Sequence, residues 1–102
     1  MHATITDHGE DIARLCERFR VRRLDVFGSA TTDRFDMATS DVDVVVEFVD
    51  PAAPTYADDY FGLRHALEGL LGRPVDLITR VSIRNPFLRR RIDGTSVLVY
   101  AS

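Results

Sequence analysis

Between Asp41 and Val49 the chain reads Asp-Val-Asp-Val-Val-Val-Glu-Phe-Val, with Val42, Val44, Val46 and Phe48 apolar at every second position. Side chains alternate across a strand, so these four define a core face, and Asp41, Asp43, Val45 and Glu47 define the opposite one. A one-residue slip would bury both aspartates, so the pattern specifies register as well as conformation. Carboxylates two apart on a strand stand roughly 6–7 Å apart along the chain. That spacing suits two acids sharing hard divalent cations such as Mg²⁺, which take oxygen ligands and arrive with substrate phosphates.

The remaining elements follow from similar signals. Asp7 followed by Glu10 reads as a capping box with aspartate as the N-cap, and Ile12, Leu15, Cys16 and Phe19 form a helical stripe, predicting a helix from 8 to 19. Arg22 to Phe27 reads as a strand ended by Gly28-Ser29, and the eleven residues Ala30 to Ser40 as a polar loop. The acidic strand runs from 41 to 49, and Pro51 and Pro54 mark a further loop. A second helix is predicted over Tyr56 to Leu71, with Tyr60, Leu63, Leu67, Leu70 and Leu71 at helical spacing, Gly72 at its end and Pro74 beyond. Val75 to Thr79 is a third strand. Asn85-Pro86 opens a last helix, with Phe87, Leu88 and Ile92 as its apolar side, Arg89, Arg90 and Arg91 as its solvated side and Gly94 at its end. Val97 to Tyr100 is a final strand. The order α-β-β-α-β-α-β predicts an α/β (α+β) fold, a small mixed sheet flanked by helices, as a single domain over residues 1–102.

Several chemistries are excluded outright. All 13 basic residues are arginine, so no lysine is present for Schiff-base chemistry or for gripping phosphate. Cys16 is the only cysteine, which rules out an internal disulfide and a cysteine-based zinc site and makes it a core residue. His2, His8 and His65 lack metal-ligand spacing. A net charge of −3 argues against general nucleic-acid binding. The absence of a signal-like or membrane-length apolar run makes cytoplasm the expected compartment, with no membrane partner.

Gly28-Ser29 offers backbone N–H groups and a hydroxyl to a phosphate beside the Asp41/Asp43 pair. Two-metal phosphoryl chemistry asks for a third carboxylate from a neighbouring strand. Asp76 is the sole acid in an apolar strand and is the natural candidate, able also to accept a proton from an attacking hydroxyl. Plainer readings stand beside these. The aspartates could solvate a strand start, Asp76 could pair with an arginine, and Gly28-Ser29 could serve only as a turn. Glu47 reads as a solvated or salt-bridged acid, Arg34 as a surface residue, and Arg89 to Arg91 as an exposed face or partner patch.

Taken in order, Gly28-Ser29, a loop, Asp41-x-Asp43 and Asp76 in Gly-Arg-Pro-Val-Asp-Leu-Ile resemble the nucleotidyltransferase superfamily that includes DNA polymerase beta. The whole chain is similar to its smallest members, the minimal nucleotidyltransferases encoded as antitoxins beside HEPN-domain toxins. The resemblance implies that Gly28 and Ser29 hold the β- and γ-phosphates of ATP. It also implies that Asp41, Asp43 and Asp76 ligate Mg²⁺, as two ions, with Asp76 near the acceptor hydroxyl. The implied activity is transfer of AMP to a tyrosine of a HEPN-family toxin, which neutralises it. The alternatives are an antitoxin acting by contact alone and an enzyme modifying a small molecule such as an aminoglycoside. In two respects the chain differs from the commonest family pattern: the loop after Gly-Ser is eleven residues long, and Thr31 and Thr32 stand where an arginine often follows.

Overall fold

A computed structural model describes residues 3–28 and 41–102. The elements run α1 (Ala3–Asp7), α2 (Gly9–Arg18), β1 (Val21–Phe27), β2 (Val42–Phe48), α3 (Tyr56–Leu71), β3 (Val75–Thr79), a single 3₁₀ turn (Arg80–Ser82), α4 (Pro86–Thr95) and β4 (Val97–Ala101). The four strands form one mixed sheet in the order β3-β2-β1-β4. β1 pairs antiparallel with both β2 and β4, while β2 and β3 run parallel across the α3 crossover. The mixed α+β architecture expected from the sequence is the one observed.

The alternation in β2 decides how the layers stack. Val42, Val44, Val46 and Phe48 join Leu24, Val26, Val75 and Leu77 in the main core, under Ile12 and Cys16 of α2 and Leu63, Leu67 and Leu71 of α3. Val45 faces the other way and packs with Phe27 and Ile92 in a smaller cluster beneath α4. The sheet is therefore covered on one face by α2 and α3 and on the other by α4. Gly62 permits the close approach of the two covering helices, since a Cβ there would lie 2.5 Å from the Phe19 ring. Burial pushes the Cys16 thiol up to about 12, with Glu17 adding to the shift, which leaves it an inert core group.

The chain departs from the sequence reading at three helix ends. Asp7 closes α1 rather than capping α2, whose N-cap position is His8 with no side-chain cap bond. The short α1 escaped detection because one buried residue, Ile5, cannot display a period. Gly94 lies inside α4, which ends at Thr95. Phe87 is 76% exposed and does not belong to the buried side, which is formed by Leu88 and Ile92 at i and i+4. By contrast α3 and β3 have the bounds read from the sequence, and Gly72 adopts φ 69 at the α3 C-cap.

Candidate active site

β1 ends where β2 and β3 begin, so three strand termini meet at one edge of the sheet. Phe27 lies opposite Asp43 in the antiparallel pair, and Asp43 lies opposite Asp76 in the parallel pair. Adjacent strands are about 4.8 Å apart, so the two acids are next neighbours on one face. Asp41 sits two residues before Asp43, and the Val42 N–H donates to the Pro74 carbonyl at 3.0 Å, which pins the start of β2 to the approach of β3. Asp41 and Asp76 are exposed, while the Asp43 side chain is only 18% exposed.

The Asp43 carboxyl titrates above its ordinary range. Burial is the largest cause, and the negative charges of Asp76 and Asp41 push in the same direction, while Arg91 pulls it down. The three acids are thus within electrostatic reach of one another. Asp41 and Asp76 enter no ion pair among the described residues. No group of three His, Cys, Asp or Glu side chains among the described residues closes to metal-holding distance. By donor type the set still fits a hard cation: three carboxylates, two of them open to solvent and the third half-buried beside one arginine.

Gly28 follows directly from β1, with φ 72. A Cβ there would meet Asp43 Oδ2 at 2.7 Å and Arg91 Nη2 at 3.1 Å, so backbone conformation and space both demand glycine. Its N–H donates to Thr95 Oγ1 at 2.9 Å, so this amide is turned to α4 rather than to the position a phosphate would take. Ser29 and Arg34, like the rest of the loop through Ser40, lie outside the described residues.

Arg91 is solvated as the sequence reading has it, with 58% of its side chain exposed, and it has in addition a partner that the reading does not give it. Its Nη2 stands 3.6 Å from Asp43 Oδ2 and its guanidinium carbon 6.0 Å from the centre of the Phe27 ring. The available signal was periodicity: position 91 is three residues after Leu88 and adjacent to Ile92, so it flanks the buried stripe.

Asp25 was also passed over. It is 1% exposed on the same face as Asp43, one strand repeat away, and is held by Arg23 at 2.8 and 3.1 Å and by Arg80 at 3.7 Å. Its charge is answered locally, which makes it a structural acid. Glu47 is half-buried and lies across from Arg23, away from the three carboxylates.

A cleft of about 190 Å³ opens beside Asp41 and Asp76, walled by Tyr60, Arg64 and Leu77. Tyr60 and Leu77 are shared with a groove of about 420 Å³ between α3 and β3, which carries Tyr56 and Phe61. A larger cavity of about 500 Å³ lies at the far end of the sheet among Arg20, Phe48 and Tyr100. It contains none of the three carboxylates.

Known proteins match the chain in both sequence and fold. The family model described as a nucleotidyltransferase domain matches residues 12–98. A candidate protein adenylyltransferase of Methanocaldococcus jannaschii is 34% identical over 85 residues, 83% of each chain. The solved structure of a candidate minimal nucleotidyltransferase is 31% identical, with a TM-score of 0.74 and 95% of both chains covered. The fold is also that of the MNT antitoxin complexed with the tri-AMPylated HEPN toxin of Shewanella oneidensis. That likeness has a TM-score of 0.66 at 17% identity and covers 96% of this chain and 73% of the other. No helix among the described residues is long and apolar enough to cross a membrane.

Proposed function

The chain belongs to the nucleotidyltransferase domain family, a family of enzymes, and from that premise we propose that it moves AMP from ATP onto a tyrosine hydroxyl of a HEPN-family toxin, acting as that toxin's antitoxin. The observation that carries this reading is the parallel register setting Asp43 against Asp76, with Asp41 beside them and Gly28 packed on Asp43. The AMPylated state of the toxin in the structurally similar complex supports the choice of acceptor.

Asp41, Asp43 and Asp76 would hold Mg²⁺, as two ions, which when bound polarise the phosphoryl oxygens and offset the charge that develops during transfer. The acceptor oxygen attacks the α-phosphorus, an O–P bond forms, and the bond to the β-phosphate oxygen breaks to release pyrophosphate. Asp76, exposed at the edge of the cleft, is placed to accept the hydroxyl proton. Gly28 lets the nucleotide approach Asp43 closely because it has no side chain there, with Ser29 as the partner expected for the β- and γ-phosphates.

The test uses the purified chain with ATP, Mg²⁺ and the product of the neighbouring gene. An added AMP mass on a partner tyrosine, lost in Asp41→Asn/Asp43→Asn, is the expected result. Neutralisation that persists in the double variant would overturn transfer in favour of contact alone.

A further inference from the structure

Asp43 is held by a cation from an element outside the three strands that form the site. Arg91 reaches it from α4 at 3.6 Å, beyond the length of a short charge-assisted hydrogen bond, and its side chain is 58% exposed. This is a contact that can be exchanged. Arg91 is next in sequence to Ile92 of the cluster with Phe27 and Val45, and its guanidinium lies over the Phe27 ring. The same Nη2 lies 3.1 Å from where a Gly28 Cβ would project, so it stands beside both the carboxylate and the glycine turn.

A divalent cation bound at Asp43 would repel the guanidinium beside it and weaken the hold of the carboxylate on Arg91. The chain has no lysine to grip a triphosphate, and the Gly28 N–H is already given to Thr95. We propose that Arg91 is an exchangeable counter-ion: it stands in for the divalent cation at Asp43, and when that cation binds it is released to the phosphates of the incoming nucleotide. This rests on the carboxylate-and-ATP reading above and adds to it a phosphate-binding residue from α4. Only a rotation of the side chain is needed, because the α4 backbone is fixed to the glycine turn through Thr95, whose hydroxyl also donates to the Arg91 carbonyl at 2.7 Å.

The consequence is a pair of effects with opposite signs. In Arg91→Met, which keeps an apolar stem over Phe27, Mn²⁺ measured alone by electron paramagnetic resonance is expected to bind about two- to fivefold more tightly, the scale of an exposed ion pair. The nonhydrolysable analogue AMP-PNP with Mn²⁺, measured by calorimetry, is expected to bind about tenfold or more weakly, the scale of a lost hydrogen bond to a charged group. Arg91→Lys is expected to leave Mn²⁺ binding unchanged and to weaken the nucleotide by a smaller factor. It carries the test alone if Arg91→Met does not fold. Variants that weaken both ligands together, or change neither, would overturn the exchange and reduce Arg91 to a packing residue. A wild-type chain that binds Mn²⁺ but no nucleotide would instead overturn the parent reading.

Discussion

Gly28 combines two demands that can be separated by comparison with Gly72. Both have a positive φ, 72 and 69, but a Cβ at Gly72 meets nothing within 4 Å, whereas one at Gly28 strikes the Asp43 carboxylate. Gly72→Ala is therefore expected to cost only the left-handed backbone penalty, about 1–2 kcal/mol. Gly28→Ala should cost more in a urea titration and should also abolish Mn²⁺ binding. Equal losses for the two would show that Asp43 yields without consequence. Asp43 itself sets a pH dependence. Its carboxyl is raised, by burial first and then by Asp76 and Asp41, with Arg91 opposing. The folded chain then keeps a proton at pH values where the unfolded chain, with aspartate near ~3.9, has released it. The stability this provides is full below the unfolded value and is lost as pH rises through the folded one. Asp43→Asn, in chelator, is expected to melt higher than wild type at neutral pH and to converge with it as pH falls towards about 4. A variant that melts lower at neutral pH would mean that the Arg91 pair outweighs burial and repulsion.

At the scale of elements, α4 is where sequence and structure part company, and the reason is physical. β2, α3 and β3 were legible because each buries one face deeply and its period repeats over its whole length. α4 buries Ile92 and part of Leu88, too few positions to orient the helix, so the pattern reads the exposed Phe87 as inward and does not show that the exposed Arg91 reaches Asp43. A lone acid in an apolar strand is equally ambiguous. Asp76 and Asp25 give the same signal in sequence, and burial together with Arg23 and Arg80 marks Asp25 as structural, while Asp76 is exposed and has no ion pair among the described residues. The Asn85 cap was legible: its side chain accepts from Phe87 N–H at 2.9 Å and Leu88 N–H at 3.5 Å, ahead of Pro86. The other end of α4 was not, because Thr95 bonds to Gly28, 67 residues away. That bond ties the arginine-bearing helix to the glycine turn. Thr95→Val, nearly the same shape without the hydroxyl, is expected to cost about 1 kcal/mol in chemical denaturation. It should reduce nucleotide affinity more than its stability loss explains, and Thr95→Ser should restore both. Unchanged nucleotide affinity in Thr95→Val would show that the tie is only structural.

Across the whole molecule, the sheet separates the main core from the face that carries Asp43. The face under α2 and α3 holds the main core, while the face under α4 holds Phe27, Val45 and Ile92 with a few half-buried neighbours. Burial contributes roughly 25 cal/mol per Å², so the two faces resist opening very unequally. Local unfolding draws on the weaker units, and α4 is the natural one. Its departure would remove Arg91 from Asp43 and Thr95 from Gly28 in a single step, leaving the main core closed. Native-state hydrogen exchange is therefore expected to show α4 amides exchanging through a sub-global opening, at lower free energy than the α3 amides around Leu63 and Leu67. Addition of Mn²⁺ and AMP-PNP should close that gap from the α4 side. A ligand that requires α4 in place and is present at a hundred times its dissociation constant adds about 2.7 kcal/mol against opening. In Arg91→Met the free chain should keep the early opening, but the ligand at the same concentration should protect α4 far less. If α4 and α3 amides exchanged at one common free energy without ligand, the molecule would open as a single unit. Arg91 would then leave Asp43 only by side-chain rotation within a closed fold.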